Sequence, residues 1–316
     1  MVVDPSIKRL LDMLNGYTLP RFEESNLNEL RDIMNSMNYS SGSNVSCQVS
    51  EIEIGTKDGT LKARLYEPPL PTSSLIIYFH GGGFVFGNLD SSDATCGLAA
   101  MQSGCKILSV DYRLAPENKF PAAAEDAYSS YVWALKNHET LGINRNRIAV
   151  SGGSAGGNLA AVTCLMAKDR GMQQPRLQIL FYPATGPDFT SESVRRLSEG
   201  YFLTQEEMEW FGRMYLRSPE DALNPYFSPI LYDDPVGIAG AIIVTSEYDP
   251  LRDQGESYAE KLMRSGVEVT SFRVHGMIHG FLGFTSVSGA AADVSRMVWN
   301  LAGWKLKDSD EVSASK

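Results

Sequence analysis

The chain has 316 residues, 43% hydrophobic and 21% charged, enough for one large α/β domain or two small ones with a sizeable core. A formal net charge of -10 repels phosphate backbones and anionic membranes, which excludes nucleic acid as a partner and gives anionic substrates no steering. No apolar run approaches the roughly 18 residues of a spanning helix, so no stable membrane anchor is expected.

The opening MVVDPSIKRLLDMLNG lacks the basic, apolar and small-residue blocks of a secretory signal. It predicts a helix instead. Asp4 stands as N-cap, Pro5 in the first position, Ile7, Leu10, Leu11 and Leu14 on one face, and Gly16 as the stop. A second amphipathic helix is expected over 25–37, followed by the Ser/Gly/Asn-rich linker NYSSGSN. QVSEIEIGTKDGTLKARLYEP reads as a hairpin turning at Lys57-Asp58-Gly59-Thr60. Beyond it, apolar strands at 75–79, 106–111, 147–151 and 177–182 alternate with helices from 91, over 122–137 and from 154.

Between 184 and 218 this rhythm breaks. LTQEEMEWFGRMYL is helical, with Thr204 and Glu207 spaced as a capping box. The order resumes with a strand at 240–246, a helix over 252–265, a strand at 267–274 and a last helix over 288–303. Such alternation predicts a mostly parallel sheet covered on both faces. Residues 1–45 and 184–218 are expected to form a helical cap over a core at 46–183 and 219–305, with 306–316 a polar, frayed tail. Cys47, Cys96, Cys105 and Cys164 are too scattered for a disulfide framework and hold no Cys-x-x-Cys pair; four reduced thiols, no metal site and a cytoplasmic protein are the expectation.

Chemistry first shows at IAVSGGSAGGNLAA, where a strand ends, Gly152-Gly153-Ser154-Ala155-Gly156 follows, and a helix begins at once. Gly-x-Ser-x-Gly in a strand-turn-helix setting exposes the serine oxygen on a sharp turn. Outside that setting the pattern is only a glycine turn. A serine at its ordinary pKa needs a base, itself oriented by an acid. Of four histidines, His138 sits among polar neighbours at a helix end and His80 belongs to a glycine stretch. His275 and His279 remain, just after the last predicted strand; His279, beyond a turn at Gly276, is favoured as base, and His275 as structural. Asp249 at a strand tip is the candidate acid, and Asp253 caps or flanks the next helix.

FHGGGFVFG places three glycines behind His80 at the end of a strand. An ester carbonyl attacked by Ser154 becomes an oxyanion, and backbone N–H groups must already be aimed at it. Gly82 and Gly83, together with Ala155 at the head of the following helix, are the candidate donors, while His80 and Gly81 shape the loop. Phe84 and Phe86, with Met208, Trp210, Phe211, Met214 and Tyr215 of the cap helix, are the candidate acyl-pocket residues.

HGGGF, DYRLAPENKFPAAAEDA, GGSAGG, YDPLRD and HGF, in this order over about 60–285, resemble the hormone-sensitive-lipase family of α/β-hydrolases in its bacterial acetyl-esterase and carboxylesterase branch. The resemblance implies an eight-stranded, mostly parallel sheet with a helical cap, and carboxylic-ester hydrolysis without a cofactor. It also implies Ser154 as nucleophile, Asp249 as acid, His279 as base, and Gly82, Gly83 and Ala155 as oxyanion donors. The expected partner is a small-molecule ester, preferably of short acyl chain, with a homodimer left open. Gly153 departs from the Asp or Thr common before the serine in that family, which is expected to loosen the turn. Asp111, Tyr112, Arg113 and Glu117 are expected to form buried polar pairs behind the oxyanion loop. Lipase, amidase or lactonase chemistry on the same triad, or non-catalytic ligand binding, are the rival readings.

Overall fold

Two patterns of burial sort the strands of the computed structural model, which describes residues 2–16, 22, 25–36 and 47–307. Strands β1 (Gln48–Thr56) and β2 (Gly59–Glu67) have exposed positions along their length and pair antiparallel from Gln48↔Glu67 to Thr56↔Gly59, the predicted hairpin. Strands β3 (Leu75–Phe79), β4 (Lys106–Val110), β5 (Ile148–Gly153), β6 (Leu177–Phe181) and β7 (Gly240–Tyr248) are buried almost throughout. Near-continuous apolar runs of this kind mark parallel strands covered on both faces. With β8 (Val269–Ile278) they make one eight-stranded sheet in the order β1-β2-β4-β3-β5-β6-β7-β8, antiparallel only where β2 meets β1 and β4.

The strand order reverses between β3 and β5, and in such sheets the crevice at the carboxyl ends of the strands is where ligands bind. The glycine loop follows β3 and the serine turn follows β5, so both candidate elements flank this crevice. Helices α3 (Asp93–Ser103) and α9 (Gly289–Leu306) pack together in one of the two buried apolar clusters; α4 (Ala122–Lys136), α5 (Ala155–Asp169) and α8 (Arg252–Arg264) contribute to the other. Every residue of α5 from Ala155 to Ala167 is buried, which its small side chains permit.

The first helix, α1 (Pro5–Asn15), is capped as predicted: the Asp4 carboxylate accepts from the Ser6 and Ile7 N–H groups, and Ile7, Leu10 and Leu11 are buried. The second, α2 (Leu27–Ser36), falls within its predicted range. The linker at 38–44 and the tail beyond Lys307 lie outside the described residues. Between β6 and β7 the chain forms α6 (Glu192–Leu197), which the sequence reading did not anticipate, and α7 (Gln205–Tyr215), which starts with the predicted Thr204–Glu207 capping box. The predicted end of the last strand was wrong. β8 runs on to Ile278, and Gly276 makes a bulge within it instead of a turn after it.

Candidate active site

Ser154 sits between β5 and α5 with φ 57° and ψ -120°, a conformation that costs a non-glycine residue on the order of 1–3 kcal/mol. The surrounding chain holds it there: the Ser154 N–H donates to Phe181 O at 3.0 Å, and its carbonyl accepts from Asn158 N–H at 3.0 Å. Strand and helix pass so closely that a Cβ on Gly156 would lie 1.9 Å from Phe79 O. Only glycine fits there.

His279 follows β8 directly. Its Nε2 is 3.0 Å from Ser154 Oγ and its Nδ1 is 2.8 Å from Asp249 Oδ2. Asp249 is fully buried, and its other oxygen accepts from the Leu251 N–H at 2.8 Å. A carboxylate oxygen so placed is an acceptor for a proton on Nδ1, and that tautomer leaves Nε2 as an acceptor facing the Ser154 hydroxyl. The ring of Tyr182 meets His279 edge-on with centroids 4.9 Å apart.

The other candidates lie elsewhere. The His275 side chain is 71% exposed in the body of β8, its Nδ1 3.5 Å from Glu247 Oε2. Asp253 ties α8 to α6, accepting from the Ser193 N–H at 2.8 Å, and pairs with Arg252. His138 is half-buried, with Nδ1 3.1 Å from Leu135 O.

His80 stacks on Tyr112 at 4.2 Å, and its Nδ1 is 2.8 Å from Gly81 O. Burial pushes its imidazole down to about 4, against the Gly81 bond, so the ring is neutral at physiological pH and serves the loop as an uncharged wedge. In that loop Gly82 and Gly83 take φ values of 110° and 61°, and a Cβ on Gly81 would stand 3.6 Å from the Ser154 Cβ. The loop therefore lies against the serine, beside Ala155 at the N-terminus of α5.

Support for the loop comes partly from the predicted polar residues. Tyr112 donates to His80 O at 2.8 Å, and Arg113 forks onto the buried Asp126. Glu117 differs from expectation. Its side chain is 54% exposed and pairs with Arg31 of α2, whose guanidinium also donates to Val85 O and Ala115 O, strapping α2 to the end of the glycine loop. Gly153 has a specific neighbour: a Cβ there would stand 2.8 Å from the Tyr182 ring, which fills the space a larger residue would need.

Ser154 lies where two cavities meet. The larger, about 550 Å³, is lined by Phe84, Met208, Phe211, Leu216 and Phe227 among others, and the exposed Glu209, Arg213 and Arg217 edge it. The smaller, about 310 Å³, is bounded by His279, Tyr182, Phe202, Glu207 and Phe86. Phe211, Leu203 and Gly83 belong to both. Trp210, Met214 and Tyr215 line neither. Trp210 is buried against Phe22 and Phe86, Tyr215 stacks on Phe84 at 4.1 Å, and Met214 packs against the core; they hold α7 in place instead of walling the pocket. Sequence reasoning also missed Glu207 as a wall residue; burial pushes its carboxyl up despite the capping-box bonds. Among the described residues no group of three or more His, Cys, Asp or Glu is arranged to hold a metal ion.

A family model of the alpha/beta hydrolase fold matches residues 76–283, from β3 past His279. The chain belongs to the α/β-hydrolase family. Within it, the chain is 38% identical over 311 residues to an arylesterase of Saccharolobus solfataricus, covering 98% of this chain and 99% of that one. It is 40% identical over 245 residues to an ethyl acetate hydrolase of Pseudomonas putida, covering 76% and 77% of the two chains. A solved hyperthermophilic esterase from Pyrobaculum calidifontis superposes with a TM-score of 0.90 at 38% identity, over 96% of this chain and 98% of that one. The hydrolase is thus a carboxylic ester hydrolase of the hormone-sensitive-lipase branch, in line with its motifs. None of its described helices is long and apolar enough to cross a membrane.

Proposed function

We propose that this hydrolase cleaves short-chain acyl esters by a serine mechanism with an acyl-enzyme intermediate. The observation that carries the reading is the unbroken relay of 2.8 and 3.0 Å from Asp249 through both nitrogens of His279 to Ser154. Ser154 Oγ attacks the ester carbonyl carbon while Nε2 takes its proton. The carbonyl oxygen becomes an oxyanion facing the N–H groups of Gly82, Gly83 and Ala155, the last favoured by the dipole of α5. On collapse the imidazolium returns its proton to the departing alcohol oxygen. Water, deprotonated by the same nitrogen, then releases the acid.

Because Nε2 must reach the leaving oxygen, the alcohol belongs in the cavity that His279 bounds and the acyl chain in the larger one. The helices within 1–45 and 184–218 act as the cap over both. Four free thiols suit a reducing cytoplasm.

Chain length is set by the acyl cavity. Each methylene that enters its apolar part adds about 0.8 kcal/mol of binding. A chain long enough to reach Glu209, Arg213 and Arg217 gains nothing further. A p-nitrophenyl ester series should show kcat/KM peaking between acetyl and about hexanoyl and falling steeply beyond about ten carbons. A rise continuing to palmitate, or a jump above the micellar threshold, would identify a lipase instead. Faster turnover of matched anilides or lactones would move the reaction class, and no turnover of any ester would leave only a binding protein.

A further inference from the structure

We infer that Glu247 is a positioning residue for the base: its carboxylate pins the bulge in β8 from which His279 projects. The inference rests on the reading of His279 as base.

The pairing of β7 with β8 runs regularly to Ser246↔Val274 and then jumps to Tyr248↔Ile278. Three residues of β8, 275–277, therefore stand opposite the single residue Glu247. A bulge of this kind removes backbone groups from the ladder, and a buried N–H without an acceptor is costly. Here the Gly276 N–H donates to Glu247 Oε2 at 2.8 Å, and the Gly276 carbonyl accepts from the Asp4 N–H at 3.0 Å. Both backbone groups of Gly276 are thus satisfied outside the β7–β8 ladder, one by a side chain of β7 and the other by the residue that caps α1. Gly276 takes φ +75°, and a Cβ there would stand 3.0 Å from Asp4 N.

Glu247 is 7% exposed, a placement that disfavours a carboxylate lacking donors. Two residues on stands Asp249, just past the end of β7. The end of β7 and the residue after it thus bring two carboxylates to the same segment: Glu247 holds its backbone at 276, and Asp249 meets the imidazole at 279. Met277 and Ile278 between them are fully buried, so a displacement at 276 passes to 279. An error near 1 Å in a reacting group costs about 10²-fold in rate.

The test compares Glu247→Ala, Glu247→Gln and Gly276→Ala with wild type and His279→Ala on p-nitrophenyl acetate, with Tm measured for each. Glu247→Ala should lose about 10²-fold in kcat with KM within about threefold, because substrate contacts are untouched. Glu247→Gln keeps an acceptor oxygen and should recover to within about fivefold of wild type. Gly276→Ala should reproduce the alanine loss in kcat, and it carries the test if Glu247→Ala does not fold. A folded Glu247→Ala, or in its stead Gly276→Ala, with kcat within about twofold of wild type overturns the proposal. So does a glutamine variant as slow as the alanine one, or a loss confined to KM. If Glu247→Ala runs at full rate while His279→Ala is inactive, only the pinning role fails; if His279→Ala stays active, the base assignment fails with it.

Discussion

Replacing His279 with alanine should lower kcat/KM by about 10⁴-fold or more, while His275→Ala should keep most of the wild-type rate. The two histidines lie four residues apart in sequence but in different surroundings. His279 is 6% exposed and spans Asp249 and Ser154, whereas the His275 side chain faces solvent from β8, with Glu247 beside it. Without a base, Ser154 keeps its proton and attacks poorly. The oxyanion donors and binding pockets then supply what acceleration is left, in well-studied triads about 10³-fold over water. Steady-state rates on p-nitrophenyl acetate check this. Equal losses in the two variants would contradict the assignment.

Asp249→Asn is expected to cost about 10⁴ in kcat, and Asp253→Asn to leave the rate near wild type. An asparagine at 249 can turn its amide N–H toward Nδ1, which places the ring proton on Nε2, where it blocks acceptance from Ser154. The fold should persist, since the remaining amide oxygen can still accept from the Leu251 N–H. Asp253 joins Ser193 and Arg252 at the start of α8, so its change to asparagine touches the α6 contact and the Arg252 pair and none of the Asp249–His279–Ser154 contacts. Comparing kcat of the two variants at matched folded fractions decides the point. A large loss in Asp253→Asn with a small one in Asp249→Asn would reverse the roles.

Much of this architecture is legible in the chain because its chemistry is carried by short local patterns. Leu75–Phe79 is an apolar run followed by His80 and three glycines, Ile148–Gly153 ends in two glycines, and a strand running straight into Gly-x-Ser-x-Gly and a helix has few geometries open to it. Asp249 is read by the same logic, at a strand tip; His279 is favoured over His275 for lying beyond a turn at Gly276, whereas it directly follows a strand that bulges there. What could not be read depends on contacts between distant segments. A lone glycine such as Gly276 signals either a turn or a bulge; the difference is made by Glu247 and Asp4, which lie 29 and 272 positions away. In α7, Met208 and Phe211 face the cavity while Trp210 and Met214 do not, and helical spacing alone does not say which stripe looks inward. Tyr182 filling the room beside Gly153, and Arg31 reaching Glu117 across 86 positions, likewise belong to tertiary packing.

Mass-spectrometric mapping of the adduct left by a fluorophosphonate tests the nucleophile most directly. The geometry around Ser154 predicts one phosphonylated residue per chain, at Ser154, with activity lost in proportion to labelling. An adduct at any other serine that tracks the loss of activity, or full turnover with Ser154 completely labelled, would contradict it.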